Sequence, residues 1–428
     1  MTGPAPQRQA TFREVFAVAE FWPLFGSFLL STIGDQLARV ALTVLVYQRT
    51  ASPLLSAVTF AISYLPWLVG GPVLATLADR FPRHRVLIAS DVARGVLVAG
   101  MAVPGTPLPV LLALLLLVSL FAPPFESARS ALMADVLTGD RYAVATSLTN
   151  VSSQVSQVIG FALAGTLVAT LTPSWVLLLD AVTFGVSALW LSARLQRRPA
   201  PVADGGGRSV WRDAGDGLRL IRRSTRLLTI VVLVWVGVMF ANAAEGIAAP
   251  LVDELGGGAT AVGLLLAVNP LGVTVGGLLL VRLVPPARRD RLVPPLVLLS
   301  LVPVGVAGLL VVWAPPGRAA LVAVLACMFL AGLGGAWTIP LNVTFVQEVP
   351  PAYRGRAIGV AVSGLYGVQG LGALGAGLAA EGLAPGVVVA LIGGLGVLAV
   401  LPPLLAWTRL AAAVRAGDVA TPPEPARR

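Results

Sequence analysis

Lysine is absent from the chain, cysteine and histidine occur once each, and charge of either sign is scarce. Each shortage removes a class of function. With Cys327 alone there is neither an intramolecular disulfide nor a thiolate metal cluster. His84 is the one histidine, which excludes a multi-histidine metal site. A Walker-type phosphate loop ends in Lys-Ser or Lys-Thr, so ATP-driven pumping by this chain alone is not expected. A membrane-embedded enzyme would need a nucleophile with its base, or a metal, and only carboxylate chemistry is left for it. The first twenty residues are polar, carry Arg8 and Arg13, and show no apolar stretch before a cleavage site, so no removable signal peptide is expected.

In place of charge the chain has apolar length. Charged residues are 12% of 428 and hydrophobic ones 57%, against about 25% and about 45–50% in soluble domains. A hydrocarbon core of about 30 Å takes about 20 apolar residues per helix. Twelve runs qualify, at about 21–47, 53–77, 85–104, 108–132, 144–171, 174–195, 227–252, 259–283, 292–313, 318–343, 356–380 and 385–408. Of the 30 arginines, all but Arg39, Arg49, Arg94 and Arg318 fall in the tails, in every second gap or in the first or last turn of a run beside such a gap. Arginine flanking membrane helices stays on the cytoplasmic side, so both termini are expected inside a multi-pass protein of the plasma (inner) membrane. The formal charge of +10 then faces anionic headgroups, and no nucleic-acid partner is expected.

The organisation expected is a tail over 1–20, a six-helix half over 21–195, a linker over 196–226, a second half over 227–408 and a tail over 409–428. The fold class is an all-α membrane protein of twelve transmembrane helices in two halves. In the linker, Val210, Trp211, Ala214, Leu218 and Ile221 fall at helical spacing beside Arg212, Arg219, Arg222 and Arg223. That pattern fits an amphipathic helix on the inner headgroups, with a disordered basic linker as the alternative. A weak internal repeat joins the halves: Asp135-Val136 with Arg141 recurs 213 residues on as Glu348-Val349 with Arg354.

The most specific motif runs Gly71-Pro72-Val73-Leu74-Ala75-Thr76-Leu77-Ala78-Asp79-Arg80-Phe81-Pro82-Arg83-His84-Arg85. It resembles the inner loop of the major facilitator superfamily, Gly-x-x-x-Asp-Arg-x-Gly-Arg-Arg. Here Ala75, Pro82 and His84 replace the two glycines and the last arginine. The resemblance implies a latch between the two halves on the inner side, with Gly71, Asp79, Arg80, Arg83 and Arg85 in it. Asp91, Arg94, Glu126 and Arg129 are candidates for the same network. The second half, Gly277 to Pro285, lacks the loop aspartate, so the latch is one-sided.

Ionisable residues at membrane depth are costly and default to functional candidates. Asp35 and Arg39 lie four apart in span 1; Asp91 and Arg94 lie three apart in span 3. Asp35 is either a proton carrier or half of a fixed ion pair, whereas the Asp91–Arg94 pair is read as structural. Glu245, beside Asn242 in span 7, is the second coupling candidate; Asp180 ranks below it. Candidate cavity groups are Asn150, Gln154, Gln157, Trp235, Asn242, Asn269, Trp337, Asn342, Tyr366 and Gln369, each with helix packing as its alternative.

In span 5, Gly160-Phe161-Ala162-Leu163-Ala164-Gly165 is similar to the Gly-Pro-x-x-Gly-Gly of family exporters but lacks the proline. Gly34-Asp35-Gln36 with Arg39, the Asp91–Arg94 pair and Ala128-Arg129-Ser130-Ala131 resemble the branch of macrolide efflux proteins and the enterobactin exporter. What the resemblance implies is a monomeric, cofactor-free secondary transporter exporting an amphipathic small molecule against proton influx. A lipid flippase or an importer on the same fold is the alternative.

Overall fold

In a computed structural model the described residues are 11–69, 81–199 and 210–416. They form a helical chain. In order it runs α1 (Phe12–Phe16), α2 (Phe21–Thr50), α3 (Pro53–Ile62), α4 (Leu65–Val69), α5 (Arg83–Met101), α6 (Leu108–Leu120), α7 (Ala122–Val136), α8 (Asp140–Thr170) and α9 (Pro173–Arg194). It continues with α10 (Val210–Arg223), α11 (Thr225–Asn242), α12 (Ala248–Glu254), α13 (Ala259–Leu283), α14 (Pro286–Trp313), α15 (Arg318–Gly334), α16 (Thr338–Glu348), α17 (Arg354–Ala380) and α18 (Pro385–Ala416). Local chemistry sets several starts. Ser52 Oγ accepts from Leu55 N at 3.1 Å and Ser224 Oγ from Leu227 N at 3.2 Å, satisfying first-turn amides of α3 and α11. Pro173 and Pro286 open α9 and α14, where no intrahelical N–H is missed. Gly105 and Gly256 take positive φ, 84° and 71°, in turns that no β-carbon would tolerate well.

Among the described residues, ten helices or helix pairs are long and apolar enough to cross a membrane. By the same measure two of the twelve expected spans stand apart. Span 2 is seen as α3 and α4, its remainder lying outside the described residues. α5 carries Arg83, Arg85, Asp91 and Arg94 in 19 residues and is too charged to qualify on hydropathy. The chain nevertheless presents apolar side chains outward: Val96, Leu189, Val322 and Leu398 are each more than 60% exposed. Helices satisfy their own backbone groups, which is why they can display such faces to lipid.

Contacts divide the chain into two units, residues 1–41 with 70–206 and residues 42–69 with 207–428. In the first unit α5 packs along α9. Leu24, Leu87, Phe125, Leu132 and Leu191 share one core, and Phe21, Phe25, Met133 and Leu137 another. Glu20 accepts from Arg198 (2.6 Å) and from Gln196 N (2.8 Å). Partial burial pushes its carboxyl up, but these bonds outweigh it and hold it below the ordinary value. Their contribution to stability is therefore full above the ordinary glutamate range and fades as pH falls through the lowered value.

In the second unit two helix pairs cross backbone to backbone. A β-carbon at Gly308 of α14 would lie 2.1 Å from Ala390 N of α18, and one at Gly393 would lie 2.1 Å from Gly305 N. A β-carbon at Gly272 of α13 would meet Phe329 O of α15 at 2.3 Å. Small residues are what allow such approach in lipid. The core beneath is built on Trp337 and Trp407, each 1% exposed. α10 packs on α17: Ile221 is buried, and Gly217 lets Arg356 O approach to 2.6 Å from where a β-carbon would stand. One face of the linker helix is thus covered by protein.

Residues 42–69, assigned by sequence to the first half, pack within the second unit. Tyr47 Oη donates to Asp253 at 3.3 Å; Glu381 accepts from Ser52 Oγ at 2.5 Å and Leu54 N at 3.0 Å. Those two donors hold the Glu381 carboxyl below its ordinary value. Behind them Gly377 packs on Ala57. Ser56 is fully buried and its hydroxyl lacks a hydrogen-bond partner, so Ser56→Cys is a mild probe of this packing. Maleimide should label that cysteine slowly, and several-fold faster once Glu381→Ala removes the acceptor, as mass spectrometry would show.

Candidate functional site

At membrane depth, the first unit gathers ionisable groups from three helices. Arg94 of α5 is 3% exposed and reaches across to α2, where it ion-pairs with Asp35 and donates to Ser31 Oγ at 2.9 Å. Its guanidinium lies 4.3 Å from the centroid of the Phe184 ring on α9. The pairing of Arg94 with Asp91, read within one helix, is therefore corrected. Its partner is Asp35, one helix away, because at short range a guanidinium reaches a facing helix as easily as its own preceding turn. Asp91 of α5 is fully buried and accepts from Ser187 Oγ of α9 at 2.5 Å, while its Oδ1 has no hydrogen-bond partner. Asp180 of α9, 1% exposed, adds a third carboxylate; a β-carbon on Gly34 of α2 would lie 2.1 Å from its Oδ1. Gly34 is what lets α2 and α9 close around that acid. Arg39 stands half-buried one turn beyond Asp35.

At the N-terminal end of α5, Arg83 ion-pairs with Asp135 of α7 and also reaches Ala131 O at 3.4 Å. Arg129 grips Glu126 with two nitrogens at 2.5 and 3.0 Å and lies 4.3 Å over the Phe28 ring. Arg85 is exposed at the start of α5. Burial, then Arg85, Arg197 and Arg198, push the His84 imidazole below its ordinary value and keep it neutral at pH 7. Gly71, Asp79 and Arg80, the first part of the expected latch, lie outside the described residues. In the second unit Glu348 receives Arg226 at 3.0 Å. The acids of the internal repeat, Asp135 and Glu348, thus each hold an arginine.

The second unit contains a cavity of about 390 Å³ between α11, α16 and α17. Trp235, Val234, Val238, Ile339, Phe345 and Leu365 line it, and Thr338 and Asn342 are its polar side chains. Trp235 is fixed by a 2.9 Å bond from Nε1 to Ala361 O and by Gly364, whose missing side chain leaves room for the indole. Asn242 and Gln369 bond to each other at 3.2 Å across α11 and α17. Tyr366 stacks on Tyr64 at 5.9 Å and meets Trp67 in a tilted contact at 5.1 Å.

Other expected cavity groups are elsewhere. Trp337 does not line the cavity: it is core, because Gly237 opens a slot that its ring fills. Asn269 is half-buried where α13 meets α15, its carbonyl against Gly332. Gln157 donates to Gln154 at 3.2 Å along α8, and Asn150 is exposed on the same helix. Glu245 is half-buried in the 3₁₀ turn Ala243–Ile247. Thr338 and Phe345 were missed by sequence; both fall one helical turn from Asn342 or Leu341, and an apolar run carries no mark of which face is hollow.

Comparison with known proteins resolves the family. Residues 24–293 match the model of the Major Facilitator Superfamily. The chain belongs to that superfamily. An uncharacterised MFS-type transporter of Bacillus subtilis (strain 168), YfiS, is 28% identical over 369 residues, which cover 84% of this chain and 86% of the relative. The nucleoside transporter NupG superposes with a TM-score of 0.72 at 13% identity, over 91% of this chain and 99% of that one. A bacterial homologue of the human lysosomal transporter Spinster gives 0.65 at 15%, over 94% and 99%. At such identities the structures share the fold alone. The protein is a multi-pass integral membrane transporter of the superfamily, not an enzyme.

Proposed function

We propose that this superfamily member exports an amphipathic organic molecule across the plasma membrane in exchange for protons. The observation that carries the reading is the cavity at Trp235. A site of a few hundred Å³ walled by aromatic and aliphatic side chains holds a largely apolar ligand, with a few polar groups setting its orientation. Among the described residues that line it, Thr338 and Asn342 supply that polarity. A nucleoside or a peptide would ask for more hydrogen-bonding partners, so sharing a fold with nucleoside and peptide carriers does not favour those cargoes. Resemblance to the macrolide efflux branch supports the direction and the drive. Alternating access moves the site between the two sides.

The remaining assignments go with that reading. Span 2 and α5 complete twelve crossings, both termini are cytoplasmic, and the transporter works as a monomer without a cofactor. Arg83, Asp135, Glu126 and Arg129, with Gly71, Asp79, Arg80 and Arg85, form the inner latch. Asp35 and Arg39 belong to the coupling apparatus, and Glu245 lies beside the Asn242–Gln369 bond as a second candidate.

The test is accumulation of a macrolide and of a fluorescent amphipathic cation in cells with and without the protein. Lower accumulation, restored by an uncoupler, is expected. Equal accumulation in both cell types, with both probes, contradicts export. Trp235→Ala should weaken transport of the better probe about tenfold, the equivalent of about 1.4 kcal/mol of lost contact. Trp313→Ala, on a side chain 82% exposed, should leave transport unchanged.

A further inference from the structure

Three carboxylates and two guanidiniums stand at membrane depth in the first unit: Asp35, Asp91 and Asp180 against Arg39 and Arg94. At least one acid is in excess, and of the two without an ion pair, Asp91 and Asp180, Asp180 is the more weakly hydrogen-bonded. Asp35 has Arg94, and Asp91 has the Ser187 hydroxyl. Asp180 has only Thr183, whose Oγ1 lies 2.8 Å from Asp180 O and 3.3 Å from Asp180 Oδ1. A hydroxyl carries one hydrogen, and the shorter, better contact takes it to the backbone carbonyl. Asp180 Oδ1 is then left facing a hydroxyl oxygen, and its Oδ2 has no partner at all although the residue is 1% exposed. As a carboxylate Asp180 would be a buried charge without a donor. As a carboxylic acid it donates from Oδ1 to Thr183 Oγ1, and the neutral oxygen left at Oδ2 costs far less to bury than a charge.

We propose that Asp180 is a neutral acid storing one exchangeable proton, and that it, rather than Asp35, is the proton-carrying group of this transporter. The charged groups around it are few. α2 contributes Asp35 and Arg39, and α5 contributes Asp91 and Arg94. α8 has no ionisable residue beyond Tyr142, and α9 itself has only Arg194 at its far end. Ionising Asp180 leaves it needing a cation, and Arg94 of the same cluster is held by Asp35. Gain or loss of the proton therefore bears on which acid Arg94 serves. A metal ion is a poor alternative occupant, since among the described residues no group of three His, Cys, Asp or Glu is placed to hold one.

As a coupling site this rests on the exchange reading above; as a neutral buried acid it does not, and the two are tested separately. Infrared difference spectra of the full-length protein in lipid vesicles, between neutral and alkaline pH, read the carbonyl stretch of a protonated carboxyl directly. The expected band is present at neutral pH in the wild type, in Asp35→Asn and in Asp91→Asn, and is lost in Asp180→Asn. Thr183→Val, close in shape, removes the acceptor and should move the band to higher frequency, which serves if Asp180→Asn does not fold. No such band in the wild type, a band surviving Asp180→Asn, or one unmoved by Thr183→Val overturns the assignment. In the same vesicles, Asp180→Asn should abolish substrate uptake driven by a pH gradient while retaining substrate exchange. A normal band with no gradient-driven uptake by the wild type would refute proton exchange and leave the neutral acid standing.

Discussion

Arg94→Gln is expected to lower the stability of the protein by about 3 kcal/mol or more. Breaking a buried ion pair by removing one partner costs about 3–5 kcal/mol, because the other charge stays behind unpaired. The Asp35 side chain is 38% exposed, which places the effect toward the low end. Arg94 also loses its bond to Ser31 and its contact with the Phe184 ring, and these act in the opposite direction. The measurement is thermal unfolding in detergent. The Asp35→Asn/Arg94→Gln double variant should recover part of the loss, since it removes both members of the pair, and the cycle should give a coupling energy well above error. A single variant as stable as wild type would mean that the pair carries no weight.

Gly393→Leu should prevent accumulation of folded protein. A β-carbon there would stand 2.1 Å from Gly305 N and 2.3 Å from Gly305 Cα, so the obstacle is backbone and no rotamer relieves it. Overpacking a core costs about 1–3 kcal/mol when side chains can shift. Here α14 and α18 must separate, and the cost exceeds that range. The neighbouring Gly394 offers a control: nothing lies within 4 Å of a β-carbon there, and the residue is exposed. Gly394→Leu should be tolerated, because a leucine facing lipid is unremarkable. Size-exclusion chromatography of fluorescent fusions would show a monodisperse peak for Gly394→Leu and aggregate for Gly393→Leu.

How much of this was legible in the sequence depends on range. Apolar runs and the arginine gaps located the long helices, and the motif ending in Arg83 and Arg85 pointed to the family. Partner choice was not legible. The spacing 91–94 suggested a local pair, whereas Arg94 crosses to Asp35, 59 positions away. Helical periodicity reports only neighbours on the same helix, and facing helices come together through glycines whose role needs coordinates. Gly34 against Asp180 is one such case. Asp180 was visible as a membrane-depth acid but ranked low, because its want of a donor depends on where the Thr183 hydroxyl points. Trp337 looked like a cavity residue for the same reason: depth along a span can be read, and the direction a side chain faces cannot. The grouping of residues 42–69 with the second unit follows from Glu381 capping α3 across 329 positions.

The reading as a proton-driven exporter meets its most direct test in proteoliposomes holding the purified wild-type chain, preloaded with buffer of lower pH than outside. A macrolide or an amphipathic cation should accumulate inside against its own gradient, with the lumen becoming more alkaline as it does so, and collapse of the pH difference should release it. Downhill movement of the probe at the same rate with and without the pH difference, and no accumulation, would contradict proton exchange.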